Sequence, residues 1–273
     1  MLPRASVILT TYNQPRLLDL VLQSYERQSR LDLEIVIADD GSGPETREVI
    51  ERYDHQAPFR IHHVWQPDRG FRKSEAVNRA ILESRANYLV FSDGDCLASR
   101  TFVEEHLKAS RPRTYVVGGH IRLTPEYTAS LTPQEVRAGK FERQGTRLER
   151  LELWATHLKS LVYIAARKRR KPKFYGVNFS VDRESFYSIN GFDHTYSNCG
   201  REDSDLRNRM QLAGVGARSL WHRARVFHLH HPAHNTRLVW EGVADYYNRP
   251  DLGPEAPVGL RELAAQDALE QLR

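Results

Sequence analysis

Short apolar runs alternate with amphipathic stretches over the first 110 residues. Ala5-Ser-Val-Ile-Leu-Thr10 is a β-branched run that predicts a buried strand. Thr11-Tyr-Asn-Gln-Pro15 breaks it, and Leu17, Leu18, Val21, Leu22 and Tyr25 then recur at helical spacing. Leu33 to Ala38 predicts a second strand, closed by Asp39-Asp40-Gly41-Ser42. Pro44 and Glu45 open a helix with Val49, Ile50 and Tyr53 on one face. Ile61 to Trp65 predicts a third strand, and Ser74 caps a helix that runs to Glu83. Tyr88 to Phe91 predicts a fourth, stopped by Ser92-Asp-Gly-Asp95, and Phe102, Val103 and Leu107 lie on the helix after it. Strands separated by helices of about ten to fifteen residues predict βαβ units. The expected fold class is α/β, a parallel sheet flanked by helices.

Beyond Val116-Val-Gly-Gly-His120 the pattern loosens, and Leu131 to Gly145 reads as a polar loop or a short helix. Arg147 to Ala166 carries Leu148, Leu151, Leu153, Trp154, Leu158, Leu161, Val162 and Ile164, then meets Arg167-Lys-Arg-Arg-Lys171 and Pro172. The expectation is a core helix followed by a solvated basic loop. The alternatives are a mobile loop over a diphosphate and a peripheral contact of the Arg167–Lys171 run with an anionic membrane. Phe174 to Asp182 predicts a strand entering a site, with Gly176 giving close backbone approach and Asn178 an amide for a sugar hydroxyl. Leu260 to Leu272 is an amphipathic helix suited to packing or dimerisation. Neither a linker nor an internal repeat divides the chain. The expected parts are residues 1–120, residues 121–250 of the same domain, and a helical tail over 251–273.

Composition narrows the picture a little. At 273 residues and 40% hydrophobic content the chain can bury a full core. A net charge of +5 permits anionic lipid, nucleic acid or phosphate-bearing substrates. Nucleic acid is not expected, because no zinc-finger or RNP-type motif is present. Two distant cysteines, Cys96 and Cys199, make no disulfide framework. With no apolar leader after Met1 and no run of about 20 apolar residues, a cytoplasmic protein is expected.

The chemistry gathers where strands end. Asp93 and Asp95 stand one residue apart, and Gly94 between them lets the backbone turn closely. Magnesium and manganese take one or two carboxylates plus substrate phosphates. A bland acidic turn, with Asp93 capping a helix, would explain this pair alone. Thr10-Thr-Tyr-Asn and Asp39-Asp40 end other strands, and all three breaks would meet along one sheet edge, where open α/β sheets bind ligands. Glu202, Asp203 and Asp205 open a later helix, either favoured there by its dipole or supplying a general base. Arg225-Val-Phe-His-Leu-His-His-Pro232 adds imidazoles, and alternation along an extended segment turns His230 away.

Ser6 to Asn13, Val36 to Ser42, Gly70 to Asn78 and Asp93-Gly-Asp95 resemble the nucleotide-sugar half of glycosyltransferase family 2 in order and spacing. The resemblance implies a GT-A fold, with one mixed, mostly parallel sheet, and a metal-dependent, inverting glycosyltransferase using manganese or magnesium, its donor half over 1–120 and its acceptor half over 121–250. It implies that Thr10, Tyr12 and Asp40 hold the uridine of a UDP-sugar donor. Asp40 suits that part, since the uracil N–H needs an acceptor. Arg72 or Lys73 would then sit near the diphosphate, with Asn78 in the same motif, and Asp93 and Asp95 on ribose and metal. Asn190-Gly-Phe-Asp193 and Gly200-Arg-Glu-Asp-Ser-Asp205 resemble the galactosyltransferase-type C-terminal region of some members. By position Asp203 would be the base and Glu202 would bind the acceptor or the donor sugar. His228 would complete the metal site, with His231 as the fallback or as a phosphate contact. Asn198-Cys199-Gly200 stands where relatives carry Gly-Trp-Gly, so the sugar-stacking tryptophan is missing. The acceptor would be a saccharide or lipid-linked saccharide of bacterial surface polysaccharide or lipopolysaccharide assembly. The rival readings are a nucleotidyltransferase and a non-catalytic sugar-nucleotide-binding subunit.

Overall fold

The first apolar runs form the centre of the sheet. In a computed structural model describing residues 2–196, 200–232 and 243–271, β1 (Ala5–Thr11) lies parallel between β2 (Leu33–Asp39) and β4 (Tyr88–Asp93). β3 (Arg60–Trp65) adds in parallel outside β2. The crossovers are α1 (Pro15–Glu26), α2 (Pro44–Gln56) and α3 (Lys73–Glu83). Strands buried on both faces are apolar along most of their length, which is why β1 and β2 read as nearly continuous runs rather than alternating ones.

The chain continues through β5 (Cys96–Ala98), α4 (Phe102–Ala109), β6 (Thr114–Arg122), α5 (Pro125–Ser130), α6 (Pro133–Arg137), a 3-10 turn (Lys140–Arg143) and α7 (Arg147–Ala165). Then come β7 (Phe179–Asp182), α8 (Arg183–Ser188), α9 (Glu202–Leu212), β8 (Gly216–His228), α10 (Val243–Asn248) and α11 (Leu260–Gln271). Among the described residues one eight-stranded sheet, ordered β3-β2-β1-β4-β7-β6-β8-β5, joins the expected donor and acceptor halves. β7 is antiparallel to β4 and β6, and β5 to β8. β6 and β8 run parallel until a bulge pairs Gly118 with Leu220 but Gly119 with Arg225. Residues 221–224 leave the ladder there.

Two expectations are corrected. The strand drawn from Phe174 is only Phe179–Asp182, because Asn178 turns inward to tie the bulge together. Its Nδ2 donates to Gly119 O (2.7 Å) and Ala224 O (2.8 Å). The long apolar helix is not a core helix either: α7 buries only Leu153 and Ser160 and turns its leucines to solvent.

The tail is tied to α9 and to the segment after α8. Arg209, on α9, is 1% exposed, and its guanidinium donates to Asp205, Asp193 and the carbonyls of Gly253 and Glu255. A buried guanidinium is tolerable only with its donors paired in this way. Ala256 N donates to Ile189 O and Leu260 N to Asn190 O, which fixes the start of α11.

Candidate active site

The register of β1 brings the strand ends together: Thr10 pairs with Asp93, and Thr11 with Asp39. Thr10 Oγ1 donates to Asp93 Oδ1 at 2.7 Å, and Lys73 Nζ donates to the same oxygen at 2.9 Å. Gly94 N donates to Thr10 O at 2.7 Å, and a Cβ on Gly94 would meet that oxygen at 2.8 Å. So glycine is what lets β1 and the acidic turn close up.

Next to this lies a wall suited to a nucleoside. Asp40 is 8% exposed and accepts from Gln66 Nε2 and Arg72 N, both at 2.7 Å. Tyr12 Oη donates to Asp68 Oδ2 at 2.8 Å. Gly41, at φ +98, permits this loop, since its Cβ would stand 2.5 Å from Asp68 Cα. Asp68 escaped the sequence reading, because nothing separates it from ordinary loop polarity. Arg72 turns its guanidinium to Glu75 and Pro67 O, leaving Lys73 as the cation that reaches Asp93.

From the other side α9 presents Glu202 and Asp203. Gly176 N donates to Asp203 Oδ2 (2.9 Å) and Gly200 N to Glu202 Oε2 (2.9 Å), while Asp203 Oδ1 is buried without a partner. Burial, and then Asp203 beside it, push Glu202 up to about 7 against the pull of Lys73. Burial also raises Asp203, with Lys73 and the Gly176 N–H opposing and Asp93 adding. For Lys73 burial works against charge, yet Asp93, Asp203 and Glu202 hold its ammonium above the ordinary lysine range. The result is one cation shared by three carboxylates, two of which resist ionisation.

The third group depends on β5 lying antiparallel to β8, with Cys96 opposite His228. This puts Asp95 between two imidazoles, His231 Nε2 at 3.1 Å and His228 Nε2 at 3.7 Å. Burial opposes ionisation of Asp95, but the two histidines keep it below the usual carboxylate range. Asp95, Cys96 and His228 present ligand atoms within 4.8 Å of one another. Burial holds the Cys96 thiol well above its ordinary range, and it donates to Asp95. A protonated thiol is no ligand for a hard cation. Carboxylate and imidazole together fit a divalent ion such as manganese. His230 is exposed, as its alternation predicts.

Two expected donor contacts are corrections. Asn78 is fully buried: its Nδ2 donates to Phe192 O (2.9 Å), and its Oδ1 accepts from Phe192 N (3.1 Å). Asn178 is 1% exposed, and beyond its two carbonyls its Oδ1 meets His106 Nε2 at 3.0 Å. Both amides satisfy buried backbone, so neither has a group left for a sugar. The Asn198-Cys199 segment, where the stacking tryptophan is absent, lies outside the described residues.

The chain is similar to known proteins over most of its length. The family model for glycosyl transferase family 2 matches residues 6–183, and the one described as N-terminal domain of galactosyltransferase matches 156–232. A validoxylamine A glucosyltransferase of Streptomyces hygroscopicus subsp. jinggangensis is 29% identical over 223 residues, covering 78% of this chain and 52% of the relative. The chondroitin synthase of Escherichia coli is 23% identical over 234 residues, 79% of this chain and 33% of that one. The chain thus spans about half the length, or less, of these curated relatives. A mannosyltransferase from Pyrobaculum calidifontis, solved in complex with GDP-Man and Mn2+, superposes with a TM-score of 0.59 at 20% identity. The match covers 86% of this chain and 59% of that chain. S. aureus TarS 1-349 in complex with UDP gives 0.52 at 14% identity, over 82% of this chain and 60% of that one. At such identities the likeness is one of fold.

Proposed function

This chain belongs to glycosyl transferase family 2 and has the GT-A fold, and on that premise we propose a metal-dependent, inverting transfer from a UDP-sugar to a saccharide or lipid-linked acceptor. The setting is surface polysaccharide or lipopolysaccharide assembly at the cytoplasmic face of a bacterial membrane. The observation that carries the reading is the meeting, at one sheet edge, of the Lys73–Asp93 pair, the Glu202–Asp203 pair and Asp95 between its imidazoles.

Asp95 and His228, with His231 beside them, would hold Mn2+ or Mg2+, and Asp93 faces the same donor. Bound there, the ion supplies positive charge for the departing diphosphate. The chain's own groups do the rest. The acceptor hydroxyl oxygen forms a bond to the anomeric carbon as its proton passes to Asp203. The bond from that carbon to the diphosphate oxygen breaks on the opposite face, so configuration inverts. Lys73 lies beside Asp93, suited to the negative charge that develops on the leaving group. Glu202, one residue away on the same turn, contacts acceptor or sugar. Tyr12, Asp40 and Asp68 form the wall against which the uracil rests.

Thermal unfolding with manganese and UDP, GDP, CMP or ADP tests the donor. A ligand at about 100 times its Kd adds about 2.7 kcal/mol, roughly a 5 °C rise in Tm for a chain of this size. The expected result is a rise with UDP that requires manganese. A rise with GDP or CMP instead would overturn the donor, and no rise with any would overturn the reading.

Gly176 offers a second check. A Cβ there would meet Asp203 Oδ1 at 2.3 Å, so the base or the backbone must move. Gly176→Ala should cost about 1–3 kcal/mol of stability, and a base displaced by about 1 Å should lose turnover on the order of 100-fold. Gly253→Ala adds its methyl where nothing lies within 4 Å and should change neither. Denaturant melts and initial rates of the two variants decide it.

A further inference from the structure

α7 presents to solvent the face a surface helix normally hides. Its inner side holds Leu153 and Ser160 against the sheet, with His157 Nδ1 3.0 Å from Ser219 Oγ. On the outer side Leu148, Leu151, Trp154, Leu158, Leu161 and Val162 are between 46% and 65% exposed. Their spacing of three, three, four, three and one makes a single stripe about 21 Å long. Glu149, Arg150, Glu152 and Lys159 fall outside it. A soluble surface seldom leaves so continuous an apolar strip uncovered.

The stripe runs into a basic cavity. Arg167, Lys168, Arg169, Arg170, Lys171 and Arg249 line a hollow of about 830 Å³ in which, among the described residues, no carboxylate takes part. Aromatic rings position the cations: Lys168 and Lys171 stand 5.1 and 5.7 Å from the Tyr163 centroid, and Arg170 5.1 Å from that of Tyr247. Between Glu152 and Asp182 the sequence has no Asp or Glu at all. The cavity opens beside Tyr115 and Gly216, where β6 and β8 begin, whereas His228 and Asp95 stand where β8 ends. An occupant would leave the catalytic cleft free.

We propose that this face docks on an anionic membrane, with the stripe of α7 among the acyl chains and the basic cavity around a phosphate-bearing lipid headgroup. The charge argues for lipid over a second copy of the chain, since a second copy would bring the same carboxylate-poor face and could not neutralise the cations. A lipid surface supplies both the apolar layer and the anions in one plane. The inference stands apart from the transfer chemistry.

The test is flotation of the full chain with vesicles of phosphatidylcholine, with and without phosphatidylglycerol. Binding is expected only with phosphatidylglycerol, and it should fall sharply at roughly 1 M salt, where the Debye length is about 3 Å. Leu151→Glu with Leu158→Glu should reduce partitioning at least tenfold, and Arg169→Ala alone by about fivefold. All three side chains are exposed, so both variants should melt cooperatively at a Tm close to the parent's, which separates lost docking from lost folding. Equal binding to neutral vesicles, no binding, or variants that bind like the parent would overturn the proposal. So would a parent chain of twice the monomer mass whose Leu151/Leu158 variant is monomeric, which would assign the stripe to a second copy.

Discussion

Asp203→Asn should bind UDP as the parent does and lose turnover by roughly 100- to 10,000-fold, the usual contribution of a general base. The substitution is nearly silent structurally. The asparagine Oδ1 can still accept from Gly176 N, and Asp93 and Glu202 remain for Lys73. Asp203 is held above its ordinary range, so its ionised form is costly, and at pH 8 the variant should melt no lower than the parent. The same shift sets the pH profile. A base must be deprotonated, and burial raises both Asp203 and its neighbour Glu202. In the parent the acid limb of kcat/KM should therefore lie above the range of an ordinary carboxylate. Parent-like turnover in Asp203→Asn would remove the residue from the mechanism, and an acid limb near pH 4 would remove the upward shift that burial gives it.

Asp95→Ala should cut metal-dependent turnover on the order of 1,000-fold, since a bound cation contributes several kcal/mol to transition-state charge. Asp95 bridges two imidazoles, and its backbone carbonyl, untouched by the change, still accepts from Leu229 N at 2.8 Å. The strand pairing that presents His228 should therefore survive. Manganese titration separates the outcomes: the variant should lose both the activity and the manganese-dependent part of the UDP thermal shift while keeping its circular dichroism. A variant that unfolds would make the carboxylate a structural brace, and one with unchanged manganese dependence would place the ion elsewhere.

The sequence was readable where local pattern and global position coincide. The β-branched runs of β1 and β2 are buried on both faces, and a continuous apolar run has few other places to go. Asp93 and Asp95 could be singled out because a strand stops there, and Asp203 because it opens a helix. α7 misled because periodicity shows that a helix has an apolar face but not what covers it, and here the sheet takes the narrow side of Leu153 and Ser160. Asn78 and Asn178 misled for a related reason. An amide near a glycine motif looks like a ligand-binding group, yet both are consumed by backbone carbonyls brought from distant segments. The three-residue β5 gave no signal at all, though its pairing with β8 puts Asp95 beside His228.

The clip at Arg209 bears on how the enzyme is made. The carbonyl of Glu255 that seats its guanidinium lies 46 residues further along the chain, and the guanidinium in turn steadies the helix on which Asp203 stands. During translation the parallel strands and the wall of Tyr12, Asp40 and Asp68 can form while that stretch is still inside the ribosome. A nascent chain should therefore recognise nucleotide before it can transfer sugar, and a truncation near residue 250 should leave a binder without a working base.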